Sequence, residues 1–331
     1  MVTAADAIPP PADVLAALRR AKRVALVAHV TPDLDCLGCL GAMNLALRAL
    51  NKTPLVALPA GSVSRRLAFL VELGRITPAS IDELRTSDLV VVMDTAKERR
   101  VNLDGKLEAL LGIPVLNIDH HATNTQFGDA RWIDPHRSST CEMIHDLLRA
   151  LDIPLTPEIA TLLYVGVHGD TRGFSLVNTT PRSLAVAHEL AASGAAIANA
   201  CERLHRSQSR AEFELAKLIY QNTRVSADGR VAWSTASHAQ IAATGCGAND
   251  VDEQVDIPRS IEGIALAILI TEGQPGQVRM NFRAEGNLSV LELAQQFGGG
   301  GHHSRAGAVL SGDFETIAAR VVAAALSYTI G

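Results

Sequence analysis

The chain has 331 residues, of which 47 % are apolar and 20 % charged, and its formal net charge is −5. This composition is typical of a globular protein of about two domains and excludes a disordered chain, which would be rich in charge and poor in apolar residues. The acidic balance argues against a protein that wraps long duplex DNA, although a short nucleotide in one pocket is compatible with it. Because no apolar run is long enough for a membrane span, no secretory signal is visible and the five cysteines are scattered, we expect a cytoplasmic protein without a disulfide framework.

The first half of the sequence alternates short apolar strands with amphipathic helices, a pattern that predicts a mainly parallel sheet flanked by helices in an α/β domain. The predicted strands cover 24–29, 54–58, 89–94 and 114–119. The predicted helices cover 13–21, 36–50, 64–73, 139–150, 157–167 and 181–192. The last of these helices has Thr180 as its predicted N-cap and Pro181 in its first turn. Cys36 and Cys39 form a single CxxC without a second one, and we interpret both as small buried helix residues.

The second half mixes hairpins with helices, which predicts a smaller α+β domain after an alanine-rich linker. Hairpin signals join strand 223–225 to 231–235 and strand 264–271 to 277–283. The remaining predicted elements are helix 208–220, helix 290–296, the glycine run 298–301, strand 306–310 and a last helix. The predicted organisation is therefore a first domain at 1–190, a linker at 191–212 and a second domain at 213–331.

Acidic residues and histidines follow the predicted strands directly, at the edge where open α/β sheets bind ligands. Strand 24–29 runs into HVTPDLD, strand 89–94 ends on an aspartate, and strand 114–119 runs into Asp-His-His. A fourth segment, GDTRGF, follows a predicted helix. Together these segments place five carboxylates and three imidazoles on one rim: Asp33, Asp35, Asp94, Asp119, Asp170, His29, His120 and His121.

Such a cluster repels itself without a cation, because like charges force protons onto some of the carboxylates. Divalent cations reverse this, and carboxylate and imidazole ligands without thiolates suit Mn²⁺, Mg²⁺ or Zn²⁺. Residues two apart in an extended loop face the same way, so Asp33 and Asp35 can serve neighbouring ions about 3.5 to 4 Å apart. Taken singly, Asp94 is typical of a helix N-cap and adjacent histidines are typical of surface or core positions. Their joint occurrence at strand ends indicates a metal site.

The four segments HVTPDLD, VVMDT, NIDHH and GDTRGF occur in this order, and FGGGGHHSRAG follows them, preceded by IPRSIEG and VRMNFRAEG. With these motifs the chain resembles the DHH phosphoesterase superfamily with its DHH-associated C-terminal domain, from about residue 24 to residue 310. The subgroup it resembles most is the nanoRNase/pAp-phosphatase group. Members of that group hydrolyse very short oligonucleotides and often 3′-phosphoadenosine 5′-phosphate (pAp).

The resemblance implies two bound divalent metal ions, usually Mn²⁺, with Mg²⁺, Co²⁺ or Zn²⁺ as alternatives. One ion would be held by His29, Asp33 and Asp94. The other would be held by Asp35, Asp94, His120 and Asp170. Asp94 would therefore bridge the two ions.

The resemblance also implies catalytic and substrate-binding roles. His121 would face the phosphate and assist catalysis, and Asp119 would fix a histidine ring. The second domain would bind a substrate phosphate through glycine N–H groups and through charged side chains. These substrate-binding residues would be Arg283, Gly299, Gly300, Gly301, His302 and Arg305.

Three positions depart from the family pattern, and the role of a fourth residue is left open. Leu34 and Cys36 stand beside the first acidic pair, where the family has small residues. Arg305 stands where the family usually has alanine, so it either alters substrate preference or points to solvent. His168 precedes the GDTRGF segment by one residue and either touches the site or has a structural role.

These features predict two-metal hydrolysis of a phosphoester, with short RNA or DNA oligonucleotides or nucleotides as substrates and no membrane partner. Many relatives are dimers, so a homodimer is compatible with the prediction. Cyclic or linear dinucleotide hydrolysis, such as cleavage of c-di-AMP, is the alternative, because such enzymes can share this two-domain core. The short, acidic chain argues against a RecJ-like processive exonuclease, and its GGGH motif argues against a DHH pyrophosphatase. A non-catalytic nucleotide-binding protein would have lost metal ligands, whereas every expected ligand is present.

Overall fold

The computed structural model describes residues 8–59, 61–101, 103, 107–110, 112–205, 208–248, 250–301 and 303–328. The chain divides into two compact units, Met1–Ser207 and Gln208–Gly331. Each unit has its own apolar core. Within the described ranges no single helix has the length and hydropathy of a membrane span, and helices Pro181–Ala192 and Ile197–His205 meet that criterion only as a pair bent by 112°.

A five-stranded parallel sheet with the strand order β2-β1-β3-β4-β5 forms the centre of the first unit. Its strands are β1 (Arg23–Val27), β2 (Thr53–Val56), β3 (Leu89–Met93), β4 (Val115–Asp119) and β5 (Ala130–Ile133). Alternate residues of β1 and β3 pack into apolar clusters on opposite faces, which explains why these strands are continuous apolar runs. The chain order reverses on either side of β1, so a topological switch point lies at the carboxyl ends of β1 and β3.

Helices and short 3₁₀ turns cover this sheet. The helices are α1 (Ala12–Arg20), α2 (Leu34–Ala49), α3 (Ala68–Leu73), α4 (Ile81–Leu84), α5 (Thr140–Ala150), α6 (Pro157–Asp170), α7 (Pro181–Ala192) and α8 (Ile197–His205). Helices α2 and α6 cross closely because glycines line the crossing: a Cβ on Gly38 would lie 2.7 Å from the Leu162 carbonyl oxygen. This close crossing brings the first turn of α2 beside the last turn of α6.

The second unit is a six-stranded sheet with the order β10-β11-β9-β8-β7-β6, in which only β7 and β8 pair in parallel. Its strands are β6 (Arg224–Val225), β7 (Val231–Ala236), β8 (Leu266–Gln274), β9 (Gln277–Ala284), β10 (Gly300–Gly301) and β11 (Arg305–Ser311). Its helices are α9 (Arg210–Asn222), α10 (His238–Ala243), α11 (Asp256–Arg259), α12 (Leu291–Gln295) and α13 (Phe314–Tyr328). Residues at even positions of β9 are buried in the core with α12 and α13, so residues at odd positions lie on the opposite face.

The predicted fold class is confirmed: a parallel α/β sheet precedes an α+β unit, and both predicted hairpins form. Thr180 caps α7 as predicted, since its side chain accepts a hydrogen bond from the Ser183 N–H. Strand β5 was not predicted, because it is four residues long and only partly apolar. The segment predicted as a linker, 191–212, includes α8, whose Ala200 and Leu204 are buried in the core of the first unit. The boundaries 1–190 and 213–331 stay a prediction.

Candidate metal centre

The candidate site lies at the carboxyl ends of β1, β3 and β4, at the topological switch point of the first sheet. His29 follows β1, Asp94 follows β3, and Asp119 is the last residue of β4. The first turn of α2 contributes Asp35, and Asp170 is the last residue of α6. The positions of the strand ends and of the α2–α6 crossing therefore bring together side chains that lie far apart in sequence.

The backbone around the site adopts the left-handed region at several non-glycine residues. Asp94 has a φ of 52° and Thr31 a φ of 61°. Arg172 and Phe174, just after Asp170, have φ values of 45° and 64°. Such conformations cost of order 1 to 3 kcal/mol each and cluster at functional sites, where the surrounding structure maintains them.

The first group of candidate ligands comprises His29, Asp33 and Asp94, whose ligand atoms lie within 4.8 Å of one another. His29 Nε2 is 3.3 Å from Asp94 Oδ2 and 3.6 Å from Asp33 Oδ2. The other oxygen of Asp33 accepts a hydrogen bond from the Cys36 N–H at 3.0 Å, which makes Asp33 the N-cap of α2. One carboxylate of this group thus begins the helix that carries Asp35.

The second group comprises Asp35, His120 and Asp170 and satisfies the same distance criterion of 4.8 Å. His120 Nε2 lies 3.1 Å from Asp170 Oδ2 and 3.7 Å from Asp94 Oδ1, so Asp94 is adjacent to both groups. The completely buried carboxylate of Asp35 accepts hydrogen bonds from the Thr140 N–H at 2.6 Å and the Cys141 N–H at 2.8 Å. These two N–H groups belong to the first turn of α5, where the helix dipole favours a negative charge.

The two candidate histidine ligands have the tautomer that a metal site needs. Nδ1 of His29 is 2.7 Å from the Val30 carbonyl oxygen, and Nδ1 of His120 is 3.3 Å from the Arg137 carbonyl oxygen. A carbonyl oxygen only accepts, so each Nδ1 carries a proton and each Nε2 is directed at the carboxylates. The buried Nε2 of His120 faces Asp170 Oδ2 at 3.1 Å and Asp94 Oδ1 at 3.7 Å. In the neutral ring this nitrogen offers a lone pair, so a cation fits between it and the carboxylate oxygens.

The pKa shifts of the site residues also indicate a cation site. Burial raises the pKa of the Asp35 carboxyl well above its usual value, and the charges of Asp94 and Asp170 raise it further. Burial lowers the pKa of His29, but the carboxylates of Asp33 and Asp94 outweigh burial and raise this pKa from 6.5 to about 10. The pKa of His120 likewise rises to about 10, because Asp170, Asp35 and Asp94 outweigh burial. Without a cation the cluster therefore holds protons, and a divalent ion that binds here would replace them.

Asp119 and His121 form a pair at the rim of the two groups. His121 also shares a possible metal-binding grouping with Asp94 and His120, and its Nδ1 lies 3.7 Å from Asp94 Oδ1. Asp119 is completely buried, and its Oδ1 accepts a hydrogen bond from His121 Nδ1 at 2.7 Å. Its other oxygen accepts one from Asn124 Nδ2 at 2.6 Å. The His121 side chain is 39 % exposed, so its Nε2 is the ring nitrogen available to a ligand. The arrangement fits the sequence-based expectation that Asp119 orients a histidine.

Three of the positions whose roles the sequence left open, Leu34, Cys36 and His168, are packed against neighbouring residues of the first unit. A Cβ on Gly169 would lie 2.6 Å from the Leu34 Cβ, so the absence of a side chain there makes room for Leu34 beside Asp170. Cys36 is completely buried on α2. His168 packs against the rings of Tyr164 and Phe174 and belongs to none of the possible metal-binding groups among the described residues.

One further grouping, Asp35 with Cys39 and Cys141, contains thiols. Burial raises the pKa of both thiols well above the usual value, so both are neutral. A Cβ on Gly166 would lie 2.2 Å from Cys141 Sγ, which shows how tightly this thiol is packed. These cysteines are packing residues beneath Asp35.

Sequence reasoning missed the residues that lie behind the ligands. Thr140 donates from Oγ1 to Asp94 Oδ1 at 3.3 Å, in addition to its N–H contact with Asp35. Asn178 Nδ2 donates to the carbonyl oxygens of Ser138 and Asp170 at 3.2 and 3.1 Å. The Ser-x-x-Glu pattern that begins at Ser139 was the available signal, because it marks the start of a helix.

Four of the expected substrate-binding residues lie on neighbouring strands of the second unit, namely Arg283, Gly300, Gly301 and Arg305. Arg283 of β9 pairs directly with Arg305 of β11, and Gly300 pairs with Gly307. Gly299 and Gly301 are required by close approach, since a Cβ would lie 2.2 Å from the Gly307 oxygen and 2.5 Å from the Ala306 Cα respectively. Among the described residues, nothing lies within 4 Å of a Cβ built on Gly300. His302 lies outside the described residues.

Comparison with known proteins agrees with this architecture. The family model described as "DHH family, N-terminal domain" matches residues 23–167, and the model described as "DHHA1 domain" matches residues 235–327. The crystal structure of an exopolyphosphatase-related protein from Bacteroides fragilis is similar in fold, with a TM-score of 0.82 and 22 % identity over 94 % of this chain and 92 % of that chain.

Two curated relatives align with most of the length of the chain. The chain is 31 % identical over 291 residues to the "Bifunctional oligoribonuclease and PAP phosphatase NrnA" of Thermus thermophilus, covering 87 % of this chain and 84 % of the relative. It is 28 % identical over 288 residues to the Bacillus subtilis protein of the same name, covering 86 % and 88 %. The two family matches, the identity along most of the chain and the Asp-His-His motif at the end of β4 establish that this chain belongs to the DHH family.

Proposed function

We propose that this protein is a hydrolase that uses two divalent cations, preferably Mn²⁺, to cleave short oligonucleotides and pAp. The observation that carries the proposal is the pair of ligand groups that meet at Asp94. Because His29 and His120 approach different oxygens of this buried carboxylate, it can bridge two ions. The first ion would be held by His29, Asp33 and Asp94. The second would be held by Asp35, Asp94, His120 and Asp170.

The relatives support the substrate class. Both are named for oligoribonuclease and PAP phosphatase activities, and the matches cover 84 % and 88 % of their lengths. The present chain keeps a carboxylate or imidazole at every position where the family pattern expects a ligand. A non-catalytic binding protein would have no need for this complete set.

When bound, the two ions supply Lewis acidity and neutralise phosphoryl charge for the attack of water on phosphorus. The residues of the chain contribute positioning and proton transfer. Asp119 holds the proton of His121 on Nδ1, which leaves Nε2 to give a proton to the departing oxygen or to accept one from water. Thr140 fixes one oxygen of Asp94 and thereby limits how that carboxylate rotates.

The second unit would bind a phosphate of the substrate. Gly300 is exposed and a Cβ there would meet nothing among the described residues, so a phosphate can approach the backbone at this glycine without meeting a side chain. Arg283 and Arg305 occupy directly paired positions across the β9–β11 ladder, so two positively charged residues are neighbours, an arrangement that an anion stabilises. His302 would add to this set.

A substrate panel tests the proposal. Metal-free protein is supplied with Mn²⁺ and assayed on pAp, pApA, RNA and DNA of two to five nucleotides, c-di-AMP and a 24-nucleotide DNA. We expect hydrolysis of pAp and of the shortest oligonucleotides, with a much lower kcat/KM on the long strand. Asp94→Asn prepared in parallel controls for contaminating nucleases. A preference for c-di-AMP would favour the cyclic dinucleotide alternative, and equal rates on the long strand would contradict the proposal.

A further inference from the structure

The eight residues that run from the end of β5 into the first turn of α5, here called the 134–141 segment, contact most of the proposed second-ion ligands. The Arg137 carbonyl oxygen lies 3.3 Å from His120 Nδ1. The N–H groups of Thr140 and Cys141 donate to the two oxygens of Asp35. The backbone of a single short segment therefore fixes the histidine tautomer and the carboxylate orientation on this side of the site.

The same segment reaches the remaining two ligands through side chains. Thr140 Oγ1 donates to Asp94 Oδ1 at 3.3 Å. Asn178 donates both to the Ser138 carbonyl oxygen and to the carbonyl oxygen of Asp170, so it ties the segment to the end of α6. All four ligands of the proposed second ion are thus connected to residues 138–141 or to Arg137.

A buried ionic network holds the segment in place. The Arg137 guanidinium, only 3 % exposed, lies 3.1 Å from Asp134, 3.1 Å from Glu142 and 2.7 Å from Asp146. Glu142 in turn accepts hydrogen bonds from both the N–H and the hydroxyl of Ser138. Because a buried charge is tolerated only when it is well paired, this network strongly favours one conformation of the segment.

The first ion's ligands have different supports. His29 is oriented by its neighbour Val30, and Asp33 is fixed as the N-cap of α2. Among the described residues, the 134–141 segment hydrogen-bonds only one member of that group, the shared Asp94. The two halves of the site are therefore positioned by separate parts of the chain.

We propose that the 134–141 segment, locked by Arg137 and tied to α6 by Asn178, is the positioning element for the second cation. The inference rests on the proposed ligand assignment and adds to it that the two ions are supported separately. Disturbing the segment weakens binding of one ion and spares the other. General destabilisation of the fold would weaken both.

Calorimetric titration of the metal-free protein with Mn²⁺ tests this. The first variant is Arg137→Lys, which keeps the positive charge but loses the planar guanidinium and its paired hydrogen bonds. The second is Asn178→Ala, which removes no buried charge. If Arg137→Lys fails to fold, Asn178→Ala alone decides the test. Arg149→Ala serves as the matched control, because Arg149 lies on α5 and pairs with Glu189 away from the segment. Amide hydrogen exchange at Thr140 and Cys141 in the metal-free protein provides a readout independent of activity.

We expect affinity for one ion to fall about tenfold or more in both variants, as is typical when the support of a metal ligand is lost, while affinity for the other changes less than about twofold. Exchange at Thr140 and Cys141 should become faster in the variants and stay unchanged in Arg149→Ala. Equal weakening of both ions, or unchanged binding in Asn178→Ala, would overturn the inference. If the wild-type protein bound no second ion, the proposed function itself would fail, which is a separate result.

Discussion

In the first unit the proposed ligands Asp35, at the start of α2, and Asp94, at the end of β3, are almost completely buried. In the second unit Gly300 and Arg305 are exposed along the edge of a sheet. The buried carboxylates are fixed by N–H and hydroxyl donors before any ligand arrives. Gly300 and Arg305 instead face solvent, where an anionic ligand can reach them.

Under the proposed function, this difference fits separate tasks for the two regions. Groups that stabilise a transition state must be preorganised, and the first unit meets that requirement. Groups that bind the remote part of a substrate can stay solvated until binding. Substitutions at the first-unit site should therefore lower kcat or metal content, and substitutions at the edge of the second sheet should mainly raise KM.

Asp94→Asn should have the largest effect of any single substitution. Asp94 lies next to both ligand groups, and an amide in its place removes the charge that both ions would share. We expect kcat to fall by at least about 10³, or roughly 4 kcal/mol of transition-state stabilisation, on a dinucleotide substrate. Steady-state kinetics with metal analysis checks this. Retention of a tenth of the wild-type kcat in a folded variant would refute the bridging role.

Asp119→Asn should have the next largest effect, by a different route. Within the described part of the chain, the side chain of Asp119 hydrogen-bonds His121 and Asn124 and none of the proposed metal ligands, so it would act through His121. We expect kcat to fall about 10- to 100-fold while metal content stays at the wild-type level, as for other residues that orient a functional histidine. The loss should change the part of the pH dependence of kcat that reflects the titration of His121. An unchanged pH dependence would show that Asp119 has only a structural role.

Much of this site could be predicted from the sequence, because its residues follow strong local signals. Strands β1, β3 and β4 each end at a polar motif, so these strand ends located His29, Asp94 and the Asp-His-His triplet. Parallel strands then bring these ends to one edge without further information. The α/β and α+β classes could be predicted for the same reason, since hydrophobic periodicity carries them.

The supports of the site could not be predicted in this way. Asp35 is held by backbone N–H groups of residues more than a hundred positions away, and a backbone donor leaves no mark on the residue type. The fit of Leu34 against Gly169 depends on how α2 crosses α6, which is a tertiary property. The left-handed conformation of Asp94 likewise has no sequence signal, because aspartate is common in many conformations.

Arg283→Ala tests the proposed substrate-binding role of the second unit. Arg283 pairs with Arg305 across the β9–β11 ladder, and loss of the proposed charge-assisted hydrogen bond to phosphate should raise KM about tenfold. Some decrease in kcat is expected as well, because remote binding energy helps to orient the reacting phosphate. Metal content should be that of the wild type. Loss of metal in this variant would mean that the division of tasks between the units is wrong.

Gly300→Ala should have the smallest effect and gives the cleanest test of contact with the substrate. A Cβ at this position meets nothing among the described residues, so the fold should stay intact. We expect KM to rise a few-fold, and such an increase would come from contact between the new methyl group and the substrate. Gly299→Ala is the matched contrast, since its Cβ would lie 2.2 Å from the Gly307 oxygen and should lower thermal stability. Unchanged KM in Gly300→Ala would exclude a close approach of substrate to this glycine.

The central claim is that two cations bound in the first unit carry the chemistry, and a coupled titration tests it most directly. Metal-free protein is titrated with Mn²⁺ while bound metal and the hydrolysis of pApA are followed in the same samples. The account predicts no hydrolysis without metal, two ions per chain at saturation, and activity that rises as the second ion binds. Full activity in metal-free protein, or maximal activity with a single ion bound, would contradict it.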